Sequence, residues 1–142
     1  MTLALFAQGT QLQRGDGATP EVFTSIAHIK GEIPFPEIKS NSKDVTDHDS
    51  PNHTMEFIAT LIDPGQLKIT LNYLAADTTH IQLIADAQSR DIIDWQVVMV
   101  DTDQSVWAFT AFVMGFQGKG AVDNVYEADV TFQVTGTVTP PA

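Results

Sequence analysis

Asp47, His48, Asp49 and His53 fall within seven consecutive positions of this chain. Carboxylate oxygens and imidazole nitrogens are donors for a divalent metal, so cation binding is the first chemistry to weigh. Their spacing matches neither the paired ligands of structural zinc sites nor the acidic loop of calcium sites. Aspartates in such runs also form turns, by accepting hydrogen bonds from backbone N–H groups two residues on. A solvated polar loop therefore competes with a cation or ligand site over residues 43–53, and the loop reading is favoured. His28 lies among strand-forming residues and His80 in the first turn of a helical pattern. Neither has a nucleophile motif beside it, so both are read as structural. Trp95 and Trp107 flank one turn and are expected as core or interface anchors, because a base-stacking platform would need Lys and Arg around it.

The rest of the chain offers little chemistry. It has no Walker A loop, no Gly-x-Ser-x-Gly elbow, no His-Glu-x-x-His and no dinucleotide fingerprint, and Gly118-Lys119-Gly120 reads as a loop. The absence of cysteine excludes disulfides, thiolate metal sites and cysteine nucleophiles. No catalytic residue, cofactor or metal is implied. A formal net charge of −11, from 18 acids against 7 bases, is the reverse of what a phosphate-neutralising nucleic-acid binder carries. It predicts solubility and repulsion of polyanions.

The elements that hold these residues are mostly strands. The 142 residues suffice for one domain with a real core, and 43% hydrophobic with 18% charged residues fits a folded protein. No apolar run approaches the roughly 18 residues that span a bilayer, so no membrane is expected. Met1–Ala7 is too short an apolar run, and lacks the basic flank, for a signal sequence.

Residues 1–20 are turn-rich and read as an N-terminal arm. Glu21–Ile33 reads as a first strand, ended by Pro34 and Pro36. Lys39–Thr54 is polar with neither helical nor strand period, an unusually long loop for a compact domain. Met55–Ile62 is a short strand, and Asp63-Pro64-Gly65 suits a type II turn. Gln66–Tyr73 alternates, with Leu67, Ile69, Leu71 and Tyr73 on one face.

A helix is expected over Thr78–Ser89, N-capped by Asp77, with Ile81, Ile84, Ala85 and Gln88 as its inward stripe and Leu83 and Ala87 widening it. Ile92–Val100 and Val106–Phe116 flank a turn at residues 101–104 that lacks a glycine. In the second of these strands Phe109, Ala111 and Val113 share one face, while Ala108, Phe112, Met114 and Phe116 share the other. Val125–Val138 is the longest strand, with Glu127, Asp129, Thr131 and Gln133 on its polar face and Gly136 marking a bulge or bend. Residues 139–142 read as a frayed tail. The fold class is mainly β: an antiparallel β-sandwich or barrel with one α-helix and a long polar loop.

Read in order, the motifs resemble the tail tube proteins of long, flexible-tailed phages of the lambda type. The match runs from Gly9-Thr10-Gln11-Leu12 and Gly15-Asp16-Gly17 through Phe23-Thr24-Ser25-Ile26-Ala27. Its strongest piece is Asp44-Val45-Thr46-Asp47-His48-Asp49-Ser50, followed by Glu56-Phe57-Ile58, Leu71-Asn72-Tyr73 and His80. It ends at Val122-Asp123, Val130-Thr131 and Thr135-Gly136-Thr137-Val138-Thr139.

The resemblance implies a structural virion protein, assembled in the host cytoplasm, whose hexameric rings stack into a tube through which DNA passes. It implies partners in other copies of the chain and in tape-measure, tail terminator and distal tail proteins, with DNA in the lumen but not specifically bound. It makes residues 39–54 an assembly loop, with Lys43, Asp44, Thr46, Asp47, His48, Asp49 and Ser50 as inter-subunit contacts. Glu127 and Asp129 become candidates for an acidic lumen wall. No C-terminal immunoglobulin-like domain, present in some relatives, is expected. The competing reading is a monomeric acidic β-sandwich module with a cation or ligand site at residues 43–53.

Overall fold

A computed structural model describes residues 8–123 and 125–141, with His53 by its backbone alone. The Met1–Ala7 segment and the end of the expected tail, Ala142, lie outside the described residues.

Nine strands and one α-helix follow in the order β1 (Gln11–Gly15), β2 (Phe23–Ser25), β3 (Ile29–Lys30), β4 (Lys39–Asp44), β5 (Phe57–Asp63), β6 (Gln66–Asn72), α1 (Thr78–Ser89), β7 (Ile93–Val98), β8 (Val106–Lys119) and β9 (Glu127–Thr139). Seven strands form an antiparallel sheet of order β2-β1-β7-β8-β9-β6-β3, and β4 and β5 form a separate two-stranded ribbon. The mainly β, antiparallel, one-helix expectation is met.

The two end strands of the large sheet, β2 and β3, are consecutive in the chain. Ile26 N–H still donates to Leu12 O at 2.9 Å, on the β1 side, and His28 O already accepts from Asn72 N–H at 2.9 Å, on the β6 side. The sheet is therefore closed into a barrel by a strap of residues 26–28. The single strand expected over Glu21–Ile33 is instead kinked, because crossing the seam places His28 at φ 62°. Closure also draws Gln11–Gly15, expected within a turn-rich arm, into the sheet.

The helix N-terminus clamps the strap. Asp77 caps Thr79 and His80 N–H, Thr79 Oγ1 accepts from Ala27 N–H at 3.2 Å, and His80 Nε2–H donates to Ala27 O at 2.7 Å. His80 Nδ1 accepts from Leu74 N–H at 3.1 Å, which fixes the neutral Nε2–H tautomer. His80 is 0% exposed. His28, half-exposed, places Nε2 3.8 Å from Asp77 Oδ2. Both histidines have the structural placement read from sequence.

The core fills the barrel with Leu67, Ile69 and Leu71 facing Phe132, Val130 and Ala128 across the β6–β9 ladder. Trp95 sits among them, edge-on to Phe132 at 4.8 Å between ring centroids, with Nε1–H donating to Ala111 O. Trp107 is half-buried and stacks on Phe35.

Three local outcomes differ from the sequence reading. Helix α1 buries His80, Leu83 and Asp86 and leaves Ile81, Ala85 and Gln88 exposed, because Asp86 turns inward to meet Arg14. A register shift between Val113 and Gly115 inserts Met114 as a bulge, so Phe116 changes face and joins the core side. The glycine-free turn works by placing Gln104 at φ 49°, with Asp101 Oδ1 accepting from Ser105 N–H at 2.7 Å. Gly136, at φ 78°, does lie at a register shift in β9, and Gly65, at φ 76°, has the positive φ that the type II turn requires.

Candidate functional site

The segment expected to be an unpaired loop is half of a hairpin. Lys39–Asp44 forms β4 and pairs antiparallel with β5, from Lys39↔Asp63 to Asp44↔Phe57. Periodicity missed it because neither strand faces a core, so no alternation was selected. Every residue of both strands is exposed.

The tip of the hairpin is built from short-range turns. Asp44 Oδ1 accepts from Thr46 N–H at 2.8 Å, and Thr46 Oγ1 accepts from Glu56 N–H across the hairpin at 2.6 Å. The Thr46 hydroxyl and amide hold the Asp44 carboxyl below its usual range. Asp47 Oδ1 accepts from Asp49 N–H at 2.9 Å, and Ser50 Oγ accepts from Asp47 N–H at 3.0 Å. Pro51–His53 adds one 3-10 turn. Lys43 lies opposite Ile58 on the ribbon, and His48 is exposed at the tip. Among the described residues no group of three His, Cys, Asp or Glu side chains converges as a metal site. One oxygen of each of Asp44 and Asp47, Oδ1, instead accepts from a backbone N–H.

The second strand of the hairpin and the residues flanking the pair are apolar, while β4 itself is polar. Phe57 is 56% exposed, Leu61 80% and Ile62 64%, and Ile38, Met55 and Ile58 are exposed as well. Phe57 and Ile58 are consecutive strand residues in unbroken register, so apolar side chains stand on both faces of the ribbon, and a register shift lies between Ser40 and Ser42. An isolated two-stranded hairpin is at best marginally stable in water, and a flat apolar ribbon is a ready template for another chain. Sequence gave one usable signal for this: the run Phe57-Ile58-Ala59-Thr60-Leu61-Ile62, which is too apolar for a strand covered by nothing.

The two carboxylates proposed for a lumen wall lie elsewhere, on the outer polar face of β9. Register places Glu127 opposite Asn72 and Lys119, and Asp129 opposite Thr70 and Gln117. Glu127 is buried and ion-paired to Lys30, with Lys119 Nζ 3.8 Å from its other oxygen. Asp129 accepts from Thr70 Oγ1 at 2.9 Å and lies 3.5 Å from Lys119 Nζ. The Thr70 hydroxyl, then Lys119, hold its carboxyl below the usual range. With Lys68 also contributing to the field at Asp129, three of the five lysines of the chain gather here. The cluster is of mixed charge, which strand alternation alone did not reveal because the lysines come from three other strands.

No family model matches the sequence, and no curated protein matches it. Solved structures do. A chain in the tail of an empty gene transfer agent (GTA) particle, determined with C6 symmetry, superposes with a TM-score of 0.77 at 14% identity, covering 98% of this chain and 100% of that one. A chain in the sheath/tube terminator of the extracellular contractile injection system PVC, in its extended state, gives 0.74 at 10% identity, covering 100% and 99%. The SPP1 tail tube gives 0.60 at 15% identity, covering 98% and 80%. The chain thus has the fold of these tail and tube components over nearly its whole length.

Proposed function

We propose that this chain is a tail tube subunit, of the kind that builds the tails of long, flexible-tailed phages. It is a structural virion protein and not an enzyme. It assembles in the host cytoplasm into hexameric rings that stack into a hollow tube, through which DNA passes on ejection. The observation that carries this reading is the β4–β5 hairpin: two exposed strands, the second of them apolar, projecting from a barrel whose own seam is closed. Such a ribbon needs a neighbour, and the fold shared with tail and tube components supplies the kind of neighbour.

On this reading the hairpin, with Lys43, Asp44, Thr46, Asp47, His48, Asp49 and Ser50 at and near its tip, contacts adjoining subunits. The polar face carrying Glu127 and Asp129 looks into the lumen. There Lys30 and Lys119 offset the two carboxylates, and the acidity that keeps DNA sliding comes from the charge of the whole chain. Tape-measure, terminator and distal tail proteins are the further partners.

The test is negative-stain microscopy at rising protein concentration, alone and with a tape-measure protein, paired with hydrogen exchange over residues 39–54. Rings or tubes are expected, with these amides protected only in the assembled form. A chain that stays monomeric under both conditions, or equal protection in both states, defeats the proposal. Deleting residues 39–63 leaves a folded barrel that does not assemble.

A further inference from the structure

We infer that Glu21 is a proton-operated latch on the β2 side of the barrel seam, closed while its carboxyl holds a proton and released when the proton leaves. The latch belongs to the single barrel and works whether or not copies assemble. Glu21 stands two residues before β2, and its side chain fills the niche at Gly15, the last residue of β1. A Cβ at Gly15 would overlap Glu21 Oε1 and come within 3.0 Å of Asp94 O on β7. One side chain thus reaches across β1 from the start of β2 to β7, beside the Gly15↔Phe23 and Arg14↔Trp95 pairs. The β2 ladder that it braces is only three residues long.

The surroundings of the carboxyl call for a proton. Oε1 is buried and no donor reaches it, while the Asp94 side chain is a hydrogen-bond partner of the same carboxyl. Two carboxyl groups share a hydrogen bond only when one of them carries a proton. Among the described residues no cation takes its place. Asp16, in the loop before β2, and Asp94, on β7, are the charged groups that act on Glu21. Arg14, on β1, is bound to Asp86 on the other face of its strand. The polar side chains that β8 and β9 present to the cleft beside Glu21 are Thr110, Thr137 and Thr139. Desolvation, then Asp94, favour the neutral acid and outweigh the Gly17 N–H, which favours the ionised form. Asp16 is not the sensor, because the Ala18 and Val22 amides hold its carboxyl below the usual range. Asp94 is exposed, so the proton has a path to water. Its departure puts a second negative charge beside Asp94, and the Glu21 side chain leaves the niche. β2 then loses its brace, and β1 gains an unpaired edge of the kind that templates strand addition.

The test is amide exchange of residues 22–25, corrected for the intrinsic rate, from about pH 5 to about pH 8 in the parent chain. Closing binds a proton, so protection should fall by about tenfold per pH unit above the ordinary glutamate range and level off beyond the raised value. These amides should exchange faster than those of β8 throughout, which marks local opening. Glu21→Gln keeps the shape without the titrating proton and should give a flat profile. His28 and His80, at the strap, are common to both proteins, so whatever they contribute cancels in the difference. Gly15→Ala fills the niche and should show, at about pH 5, the low protection that the parent reaches only near pH 8. A flat profile in the parent overturns the latch, and so does a Glu21→Gln profile that falls like the parent's. Exchange of residues 22–25 at the β8 rate, or Gly15→Ala as protected as the parent at about pH 5, overturns it as well. Should Glu21→Gln fail to fold, the parent profile and Gly15→Ala decide without it.

Discussion

Removing the Arg14 guanidinium should cost this barrel about 3 kcal/mol. Arg14 reaches Asp86 with two parallel bonds, Nε to Oδ2 at 2.6 Å and Nη2 to Oδ1 at 2.9 Å. Its side chain is 20% exposed and that of Asp86 4%. An Arg14→Met substitution keeps the aliphatic stem and deletes the charge. It leaves a buried carboxylate whose one remaining side-chain donor among the described residues is Gln82 Nε2, at 3.1 Å. Breaking one side of a buried pair costs about 3–5 kcal/mol, and the partial exposure of Arg14 places this case at the lower end. Urea denaturation should therefore show a roughly hundredfold drop in the folded-to-unfolded ratio, and the melting temperature should fall by about 10 °C. An Arg14→Met/Asp86→Leu double variant should recover most of the loss, because no charge is then left buried. A loss below about 1 kcal/mol for the single variant, or no recovery in the double, would refute the view that Asp86 is turned inward as a buried anion.

Two further outcomes follow from the seam and from the loop beside it. His80→Ala removes two hydrogen bonds and a buried ring, for a loss of about 3 kcal/mol. Its diagnostic is faster amide exchange at Ile26–Ile29, and unchanged exchange there would show that His80 does not hold the strap. Glu21 sits in the space that Gly15 leaves by lacking a side chain, with Oε1 buried, and desolvation followed by the neighbouring Asp94 raises its carboxyl above the usual range. The folded state therefore binds this proton more tightly than the unfolded chain, and stability falls as pH rises from the ordinary glutamate range through the raised value. Glu21→Gln should be more stable than the parent at neutral pH, with the gain vanishing in acid. Denaturation at several pH values checks this, and a pH-independent difference would count against it.

Much of the barrel could be read from residues because burial leaves alternation behind. β6, β8 and β9 were legible in this way, as was the Asp77-capped helix. Seam closure was not, because β2 and β3 pair for only three and two residues and their partners are set by tertiary geometry. The inward face of α1 was misread since two of its buried groups, His80 and Asp86, are polar, and hydrophobic periodicity passes over them. Phe116 was misplaced by a one-residue bulge that no propensity marks. The hairpin was half legible: β5 overlaps the strand expected over Met55–Ile62, and β4 escaped the reading for the opposite reason. Its polar first strand and apolar second strand match no half-buried pattern, because every residue of both is exposed and no core lies against either face.

The strap has a mechanical consequence. Only Ile26, Ala27 and His28 lie between β2 and β3, and at about 3.3 Å per residue this is roughly 10 Å of chain around a local kink. With both strands in place the barrel is a hoop with almost no slack, so its seam cannot gape as a slit. Widening must begin by peeling β2 from β1 or β3 from β6, the shortest ladders in the sheet. Outward load on the wall is then borne in series by a handful of backbone hydrogen bonds and the His80 clamp. The weakest point of the hoop can be located in advance, at a place that local exchange measurements can watch.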